Sequence, residues 1–558
     1  MHYQELLQSL RKAFPQPVSD PVHDGYVVFS ILRALDQVDA LKSQAPMLGS
    51  SYEPDYALAR LQRMRDEGRT LEEVIPELVS YLQGMFIWGH PRSQINVVPN
   101  PTLASVIGVL LPLLYNPNLC SDESARRFAE AEVRAVSMAA ELVGYDPQHA
   151  SGIFTFGGTG TLLYGAKVGL EKALPGAGEN GVREDAVIIA SQQSHYSCLN
   201  IANWLGLGQK NVVLVPTQLD NSMQLPAFEA ALDGVLSAGK KVAAIVATMG
   251  TTDAFGIDDL RTIDAIRRRL AEKHALASLP HLHGDAVIGW AWSVFNDYDF
   301  QANPLEFRGR TVRALAAAQH DIGHLRLADS IGIDFHKTGY TPYSSSLVLF
   351  RDARDFNLIA RSRETMPYLY QSGEHHPGMY TLETTRSGIG PMAALANLLL
   401  LGKEGYRTLL GHAVEMAEVL RERIESHPNL TVLNGENVGP VTLFRAYPDG
   451  VDTFDVKDRE RSDRQYRAQL LAHNEYNRRI FERVHAEALT GKGVAISQTN
   501  CYRQSDFGDP IVALKSYVLS PFTDESRMAS IVKHVLAARE GVDAAGFEPP
   551  SEPRGSAA

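Results

Sequence analysis

Between residues 186 and 350 the chain returns repeatedly to short runs that are apolar at nearly every position. AVIIAS (186–191), NVVLVP (211–216), VAAIVATMG (242–250) and SSLVLF (345–350) lack the alternation of a half-solvated strand. A strand apolar on both faces belongs in a parallel or mixed sheet covered by helices on each side. Segments between these runs, such as 260–274, carry helical spacing and supply the crossovers. Residues 1–100 follow another pattern, of helices joined by loops. There Leu71, Val74, Ile75, Leu78 and Leu82 recur at three- and four-residue steps and predict a helix over 72–85. The most apolar stretch, LASVIGVLLPLLY (103–115), is too short to span a bilayer and is interrupted by Pro112, so it is expected as a buried helix.

From residue 401 the elements become those of a smaller α/β unit. A helix is expected near 406–427, strands at 431–435 and 441–448, and a charged amphipathic helix over 463–489. A strand near 516–521 and a helix over 525–538 follow. The division is an N-terminal helical arm (1–100), a large domain (101–400) and a small C-terminal domain (401–540). The tail 541–558, rich in Gly, Pro and Ala, is expected to be disordered. There is no internal repeat.

A chain of 558 residues calls for two or three packed domains. Hydrophobic residues at 44% and charged residues at 21% give the balance of a soluble globular protein. A net charge of −12 and a pI near 5.9 argue against a nucleic-acid groove, while leaving room for a basic pocket that holds one phosphate. The three cysteines, Cys120, Cys198 and Cys501, form no CxxC pair, so neither a disulfide framework nor a thiolate metal site is expected. A reducing cytoplasm is the simplest home. The opening MHYQELLQSLRKAF is amphipathic and charged, without the apolar core of a signal peptide, and no membrane segment is expected.

Five segments carry chemistry. In DFHKTGYTPYSSS (334–346), Lys337 follows an apolar run and sits beside His336; a lysine held in a pocket forms Schiff bases. In HLHGDAVIGW (281–290), Asp285 ends an apolar segment, where a buried carboxylate needs a cation such as a protonated pyridine nitrogen. GIFTFGGTGTLLYGAKVGL (152–170) leads a Gly- and Thr-rich turn into a helix, whose free amides bind anions; it has neither the Walker lysine nor GxGxxG spacing. His195 in SQQSHYSCLNIANWLGLG (191–208) follows a strand and can stack on a flat ring. TMGTTDAFGIDDL (248–260) ends a strand with paired threonines that can bond a phenolate oxygen. Taken singly, each has an ordinary reading: a solvated lysine, a turn-capping Asp, a plain glycine turn, a structural His. Their order is informative, because all five fall at strand ends of one α/β region, where open sheets place ligands.

In these motifs the chain resembles the group II pyridoxal-5′-phosphate (PLP) dependent decarboxylases of the glutamate, aromatic-amino-acid and tyrosine type, from about His90 to Lys533. DFHK resembles the D/N-x-H-K signature, which implies Lys337 as the lysine that binds PLP and His336 as part of the phosphate site. HGDAVIGW resembles HVDAAYGG, implying Asp285 as the pyridinium partner and Ala286 beside the ring. TFGGTGTLL resembles SGGTxSN and implies Gly158, Thr159 and Gly160 at the phosphate. SHYS implies His195 over the ring, and GTT implies Thr252 near the ring oxygen. The stretch 89–108, with Asn96, resembles one that lines the substrate pocket.

Where the family often has an Arg for the substrate α-carboxylate, LKSYVLSP offers Lys515; Arg386 in TLETTRSG is the alternative. QSGEHHPGMY (371–380) falls at a mobile loop that carries a catalytic Tyr, which implies Tyr380 as proton donor, with His375 or His376 as rivals. The resemblance implies an α/β, aspartate-aminotransferase-like fold (PLP fold type I) with a large mixed sheet, a small C-terminal domain and an N-terminal arm. It also implies a homodimer with active sites at the interface and decarboxylation of an L-amino acid. Ile95, Val97 and Val98 lean toward an aliphatic or aromatic substrate such as valine, leucine, methionine or tyrosine. Glutamate or aspartate, a carbon–carbon lyase reaction and aldehyde-forming oxidative decarboxylation remain alternatives on the same residues.

Overall fold

The computed structural model describes residues 3–366 and 369–547. Twelve strands are formed in chain order: β1 (Ser93–Gln94), β2 (Ser151–Thr155), β3 (Ala186–Ser191), β4 (Val212–Val215), β5 (Lys241–Thr248), β6 (Leu282–Asp285), β7 (Ser330–Asp334), β8 (Ser346–Phe350), β9 (Leu430–Val432), β10 (Val441–Ala446), β11 (Ala495–Gln504) and β12 (Pro510–Tyr517). Seven of them make the large sheet, in the order β2-β8-β7-β6-β5-β3-β4. β7, β6, β5, β3 and β4 run parallel, while β8 is antiparallel to both β7 and β2. Two reversals bring β2 back to the direction of the parallel set, so the C-terminal ends of β2, β3, β5, β6 and β7 open on one edge.

The mixed sheet agrees with the apolar runs that predicted it. Every residue of β3, β7 and β8 is buried, as a strand covered on both faces requires. Register then fixes depth. Ser346 of β8 pairs with Asp334 of β7 on one side and Thr155 of β2 on the other. Asp285 pairs with Thr248 and with Gly332.

The smaller sheet has the order β1-β11-β12-β10-β9. β1 lies parallel to β11, so the end of the expected N-terminal arm is a strand of the C-terminal sheet. The sequence pattern missed β11, because AISQTNCYRQ has few apolar positions, and it placed the last strand at 516–521 instead of Pro510–Tyr517. The helix Ile389–Glu425 crosses the boundary expected at 400 and is broken at Gly402, with φ 54°. The last helix, Glu525–Ala544, runs past 540, so residues 541–544 of the expected tail are helical; residues 548–558 lie outside the described residues.

The helix Leu103–Tyr115 forms where predicted, capped by Thr102, whose hydroxyl accepts from Ser105 N at 3.1 Å. It is not buried as expected. Only Ser105, Gly108 and Pro112 are covered, because Gly108 lies close against the Met392 carbonyl of the helix Ile389–Glu425. Leu103, Ile107, Leu111 and Tyr115 face outward and are exposed. The arm helices Tyr3–Arg11 and Pro21–Ala40 contain no buried residue. Among the described residues no helix is long and apolar enough to cross a membrane.

Beneath the open edge, two histidines share one hydroxyl: His281 Nε2 and His283 Nδ1 lie 2.8 and 2.9 Å from Ser330 Oγ. Burial drives both rings down to about 3. Unfolding restores ordinary imidazoles near 6.5, so between those values the unfolded chain binds more protons. Stability is therefore full above pH 6.5 and falls on acidification, by up to about 1.4 kcal/mol per pH unit for each ring. Thermal melts from pH 7 to 4.5 should show this decline, and His283→Gln should make it shallower; parallel curves would refute the assignment.

Candidate active site

The open edge gathers the chemical residues because each follows directly from a strand end. Past Asp334 the chain continues through Phe335, buried against Trp290 and Phe154 with ring centroids 4.6 and 5.9 Å away, to His336 and Lys337. The following turn is pinned: Thr338 Oγ1 donates to Ile288 O at 2.7 Å, and Tyr340 O accepts from Asn397 Nδ2 at 2.7 Å and Thr102 N at 3.1 Å. Lys337 Nζ lies 3.0 Å from Asp334 Oδ2. Burial works against the ammonium, but the Asp334 carboxylate, with help from Asp285, outweighs it and raises the lysine above its ordinary value.

Asp285, at the end of β6, is buried. Desolvation pushes its carboxyl up to about 6, against the opposing effects of the Lys337 charge and the Val287 amide. His195 follows β3 and accepts from Ser197 N at Nδ1 (3.2 Å), which leaves the proton on Nε2. Burial, then the charge of Lys337, lower its pKa, so the ring is neutral at pH 7. Ser194 Oγ lies 2.8 Å from Thr248 Oγ1 and 3.1 Å from Ser191 Oγ, tying the ends of β3 and β5 together beside His195. These hydroxyls were not singled out from the sequence; nothing in SQQSH marks Ser194 apart from the motif's position.

The turn after β2 is built for close approach. Gly157 has φ 139°, a conformation side chains rarely adopt, and Gly158 opens the helix Gly158–Ala173. A Cβ on Gly158 would stand 2.8 Å from Asp334 Oδ2. The helix start therefore abuts the Asp334–Lys337 pair, with Gly160 buried and Thr159 exposed. His336 Nδ1 accepts from Ser345 N at 3.2 Å, and its Nε2 lies 3.5 Å from Asp334 Oδ2. Ala286 is buried next to Asp285. Of the paired threonines, Thr251 is buried and closes its own turn by accepting from Gly256 N at 2.8 Å, whereas Thr252 is exposed.

The substrate candidates are placed differently from the expectation. Arg386 is not free for a ligand. It is buried in an ion pair with Glu132 and donates to Leu119 O at 2.7 Å; Glu132 also accepts from Phe154 N at 3.0 Å, so the pair clamps the end of β2. Breaking such a pair on one side leaves an uncompensated charge. Glu132→Gln is expected to cost about 3–5 kcal/mol, read as a lowered Tm, and an unchanged Tm would contradict the clamp. Lys515 is also buried, 2.7 Å from Asp253 Oδ1. Tyr380 is not at the site: it stacks on Phe356 at 4.3 Å in a core patch with Ile153, Tyr164 and Phe350, and burial raises its phenol. The loop around it is tied down, with Gly378 N donating to Cys120 O at 2.9 Å. His375 likewise lies near Glu132, Arg386 and Asp122. Asn96 is exposed, in a segment that reaches the Lys337 turn through Thr102.

These residues fit PLP. A partly buried lysine amine, a buried carboxylate with a backbone amide bonded to it, a neutral imidazole and a glycine-lined helix start are groups that could receive an aldehyde, a pyridinium, a ring face and a phosphate respectively. Among the described residues no His/Cys/Asp/Glu cluster could hold a metal.

Comparison with known proteins points the same way. Residues 54–295 match the family model of the pyridoxal-dependent decarboxylase conserved domain, a stretch that holds the glycine turn, His195 and Asp285 and ends before Lys337. The L-2,4-diaminobutyrate decarboxylase of Acinetobacter baumannii is 25% identical over 402 residues, 69% of this chain and 73% of that protein. The aspartate 1-decarboxylase of Aliivibrio fischeri is 25% identical over 61% of this chain and 60% of its own length. The L-tyrosine decarboxylase of Enterococcus faecalis is 25% identical over 61% and 53%. Among solved structures, the glutamate decarboxylase domain of a Vibrio parahaemolyticus diaminobutyrate-pyruvate transaminase and L-2,4-diaminobutyrate decarboxylase superposes with a TM-score of 0.73 at 20% identity, covering 97% of this chain and all of that one. Mouse CSAD gives 0.75 at 17% identity, covering 93% and 99%.

Proposed function

We propose that this chain is a group II PLP-dependent amino-acid decarboxylase that acts on an L-amino acid with an uncharged, aliphatic or aromatic side chain and releases the amine and CO2. The observation that supports this substrate class is the fate of the cations. Arg386 is locked to Glu132, whereas Lys515 is held by Asp253, whose side chain is 29% exposed on the turn after β5. Lys515 is the cation that can exchange its partner for the substrate α-carboxylate, and neither of the two is then left for a second carboxylate.

PLP bound here supplies an electron sink for the bonding pair left at Cα when CO2 departs. The chain's own groups do the rest. Asp285 holds the positive charge at the ring nitrogen, the neutral His195 covers the ring face, and the helix start at Gly158 orients the phosphate. With Tyr380 packed away, Lys337 Nζ and His195 Nε2 are two proton-bearing atoms at the site. Covering this edge would exclude water and favour loss of a charged carboxylate.

The exposed apolar face of the helix Leu103–Tyr115 and the uncovered arm support a homodimer that completes the site, since patches of this extent mark interfaces. The test is a visible spectrum with added PLP, followed by a CO2-release screen over the L-amino acids with product identification. A visible band and CO2 from valine, leucine, methionine or tyrosine are expected. CO2 from aspartate, glutamate or diaminobutyrate alone overturns the substrate class, and aldehyde in place of amine overturns the reaction outcome.

A further inference from the structure

The turn after β5 sends one carboxylate across to the small domain. Phe255 N donates to Thr251 O at 2.9 Å and Gly256 N to Thr251 Oγ1 at 2.8 Å, so residues 251–256 close on themselves at the end of a buried strand. Asp253 leaves this turn next to the exposed Thr252 and meets the C-terminal sheet. Its Oδ1 accepts from Lys515 Nζ at 2.7 Å, and its Oδ2 accepts from Thr499 Oγ1 at 2.9 Å. Lys515 on β12 pairs with Ser497 on β11, and Thr499 lies two residues beyond Ser497. Ammonium and hydroxyl therefore stand on one face of the sheet.

One carboxylate thus receives a donor on each oxygen. A guanidinium gives that two-point grip by itself, and a lysine alone does not. The two sides of the contact differ in depth. The Lys515 side chain is 5% exposed and that of Asp253 is 29% exposed, so the acid is the partner that can leave through solvent. Among the described residues Lys515 has no other ion pair. A buried ammonium is stable only while an anion meets it, and nothing in this grip requires the anion to belong to the chain.

We propose that Asp253 is a built-in stand-in for the substrate α-carboxylate: it occupies the cradle of Lys515 and Thr499 until an amino acid displaces it, and Thr499 then holds the second carboxylate oxygen. This rests on the reading of Lys515 given above and adds two residues to it. No covalent bond forms or breaks in the exchange. Lys515 trades one anion for another and stays paired, while Asp253 turns toward water, where its charge is solvated. The resident acid lowers apparent affinity, because only the vacated cradle can bind.

The experiment uses full-length protein and propionate, which offers a carboxylate without an amine or a side chain, against propionamide, its uncharged isostere. Asp253→Asn should lower Tm, because Lys515 loses its counter-charge, and propionate should restore it while propionamide does not. By calorimetry, propionate should bind Asp253→Asn about tenfold tighter than the wild type. Thr499→Val alone should change affinity less than about twofold, since resident and incoming carboxylates lose the same bond, yet it should weaken propionate about fivefold in the Asp253→Asn background. An Asp253→Asn protein that folds only with propionate supports the proposal, and one that fails to fold even then overturns it. Equal affinity in wild type and Asp253→Asn overturns it, as does rescue that survives the addition of Lys515→Met. For the amino acid found by the CO2-release screen, KM should fall about tenfold in Asp253→Asn, and a rise counts against the stand-in. CO2 release by the wild type with no propionate effect in the variant removes the stand-in and leaves the decarboxylase reading intact. Propionate rescue with no CO2 from any amino acid keeps the cradle and removes that reading.

Discussion

Lys337→Ala is expected to abolish the visible band formed with PLP and to lower CO2 release by at least about 10³-fold, since covalent catalysis has no substitute nucleophile at the open edge. The geometry gives the reason. Lys337 is the lysine that follows a strand end into the cluster of Asp334, Asp285 and His195, and its neighbours hold it there. Borohydride reduction of the loaded wild type should fix PLP on the peptide containing Lys337, and reduction of the variant should fix none there. A variant that still forms the band, or an adduct found at another lysine, would overturn the assignment. Fold loss is separable, because the thermal melt reports it.

Asp285→Asn is expected to lower CO2 release by about 10²–10³-fold, the effect of removing one preorganised electrostatic partner. Asn keeps the shape and loses the charge that holds a proton on the ring nitrogen. The pH dependence of PLP binding separates this from a steric effect. Burial places the unloaded carboxyl at about 6, so below that pH it must shed a proton before it can meet a cation. Wild-type affinity should weaken about tenfold per pH unit as pH falls below about 6, with no contribution from this group above it. The Asn variant should lack that acid limb. Identical limbs in both proteins would show that Asp285 does not face the pyridinium.

The legibility of this protein divides along physical lines. Runs such as AVIIAS and SSLVLF carried enough apolar density to announce buried strands, and the motif residues Lys337, Asp285, His195 and the Gly158 turn were legible because each must sit at a strand end. The strand β11 was not, because its ladder is held by pairing with β12 and not by apolar pattern. Arg386 and Lys515 looked available as carboxylate binders, since sequence shows a charge but not its partner; Glu132 lies 254 positions from Arg386 and Asp253 lies 262 from Lys515. Tyr380 looked like a free loop residue until Phe356 was found beneath it.

Sequence by itself determined which residue types stand at which strand ends, because hydrophobic periodicity and turn chemistry are local and each strand needs only its own residues to be recognised. Only the tertiary structure decided which of those residues meet. Two antiparallel steps through β8 turn β2 back into line with the parallel strands, and this brings Gly158 onto Asp334 and the anion-binding helix start beside Lys337. Pairing of distant charges and the desolvation that moves Asp285 to about 6 depend on what surrounds a side chain in space, and no local pattern encodes that.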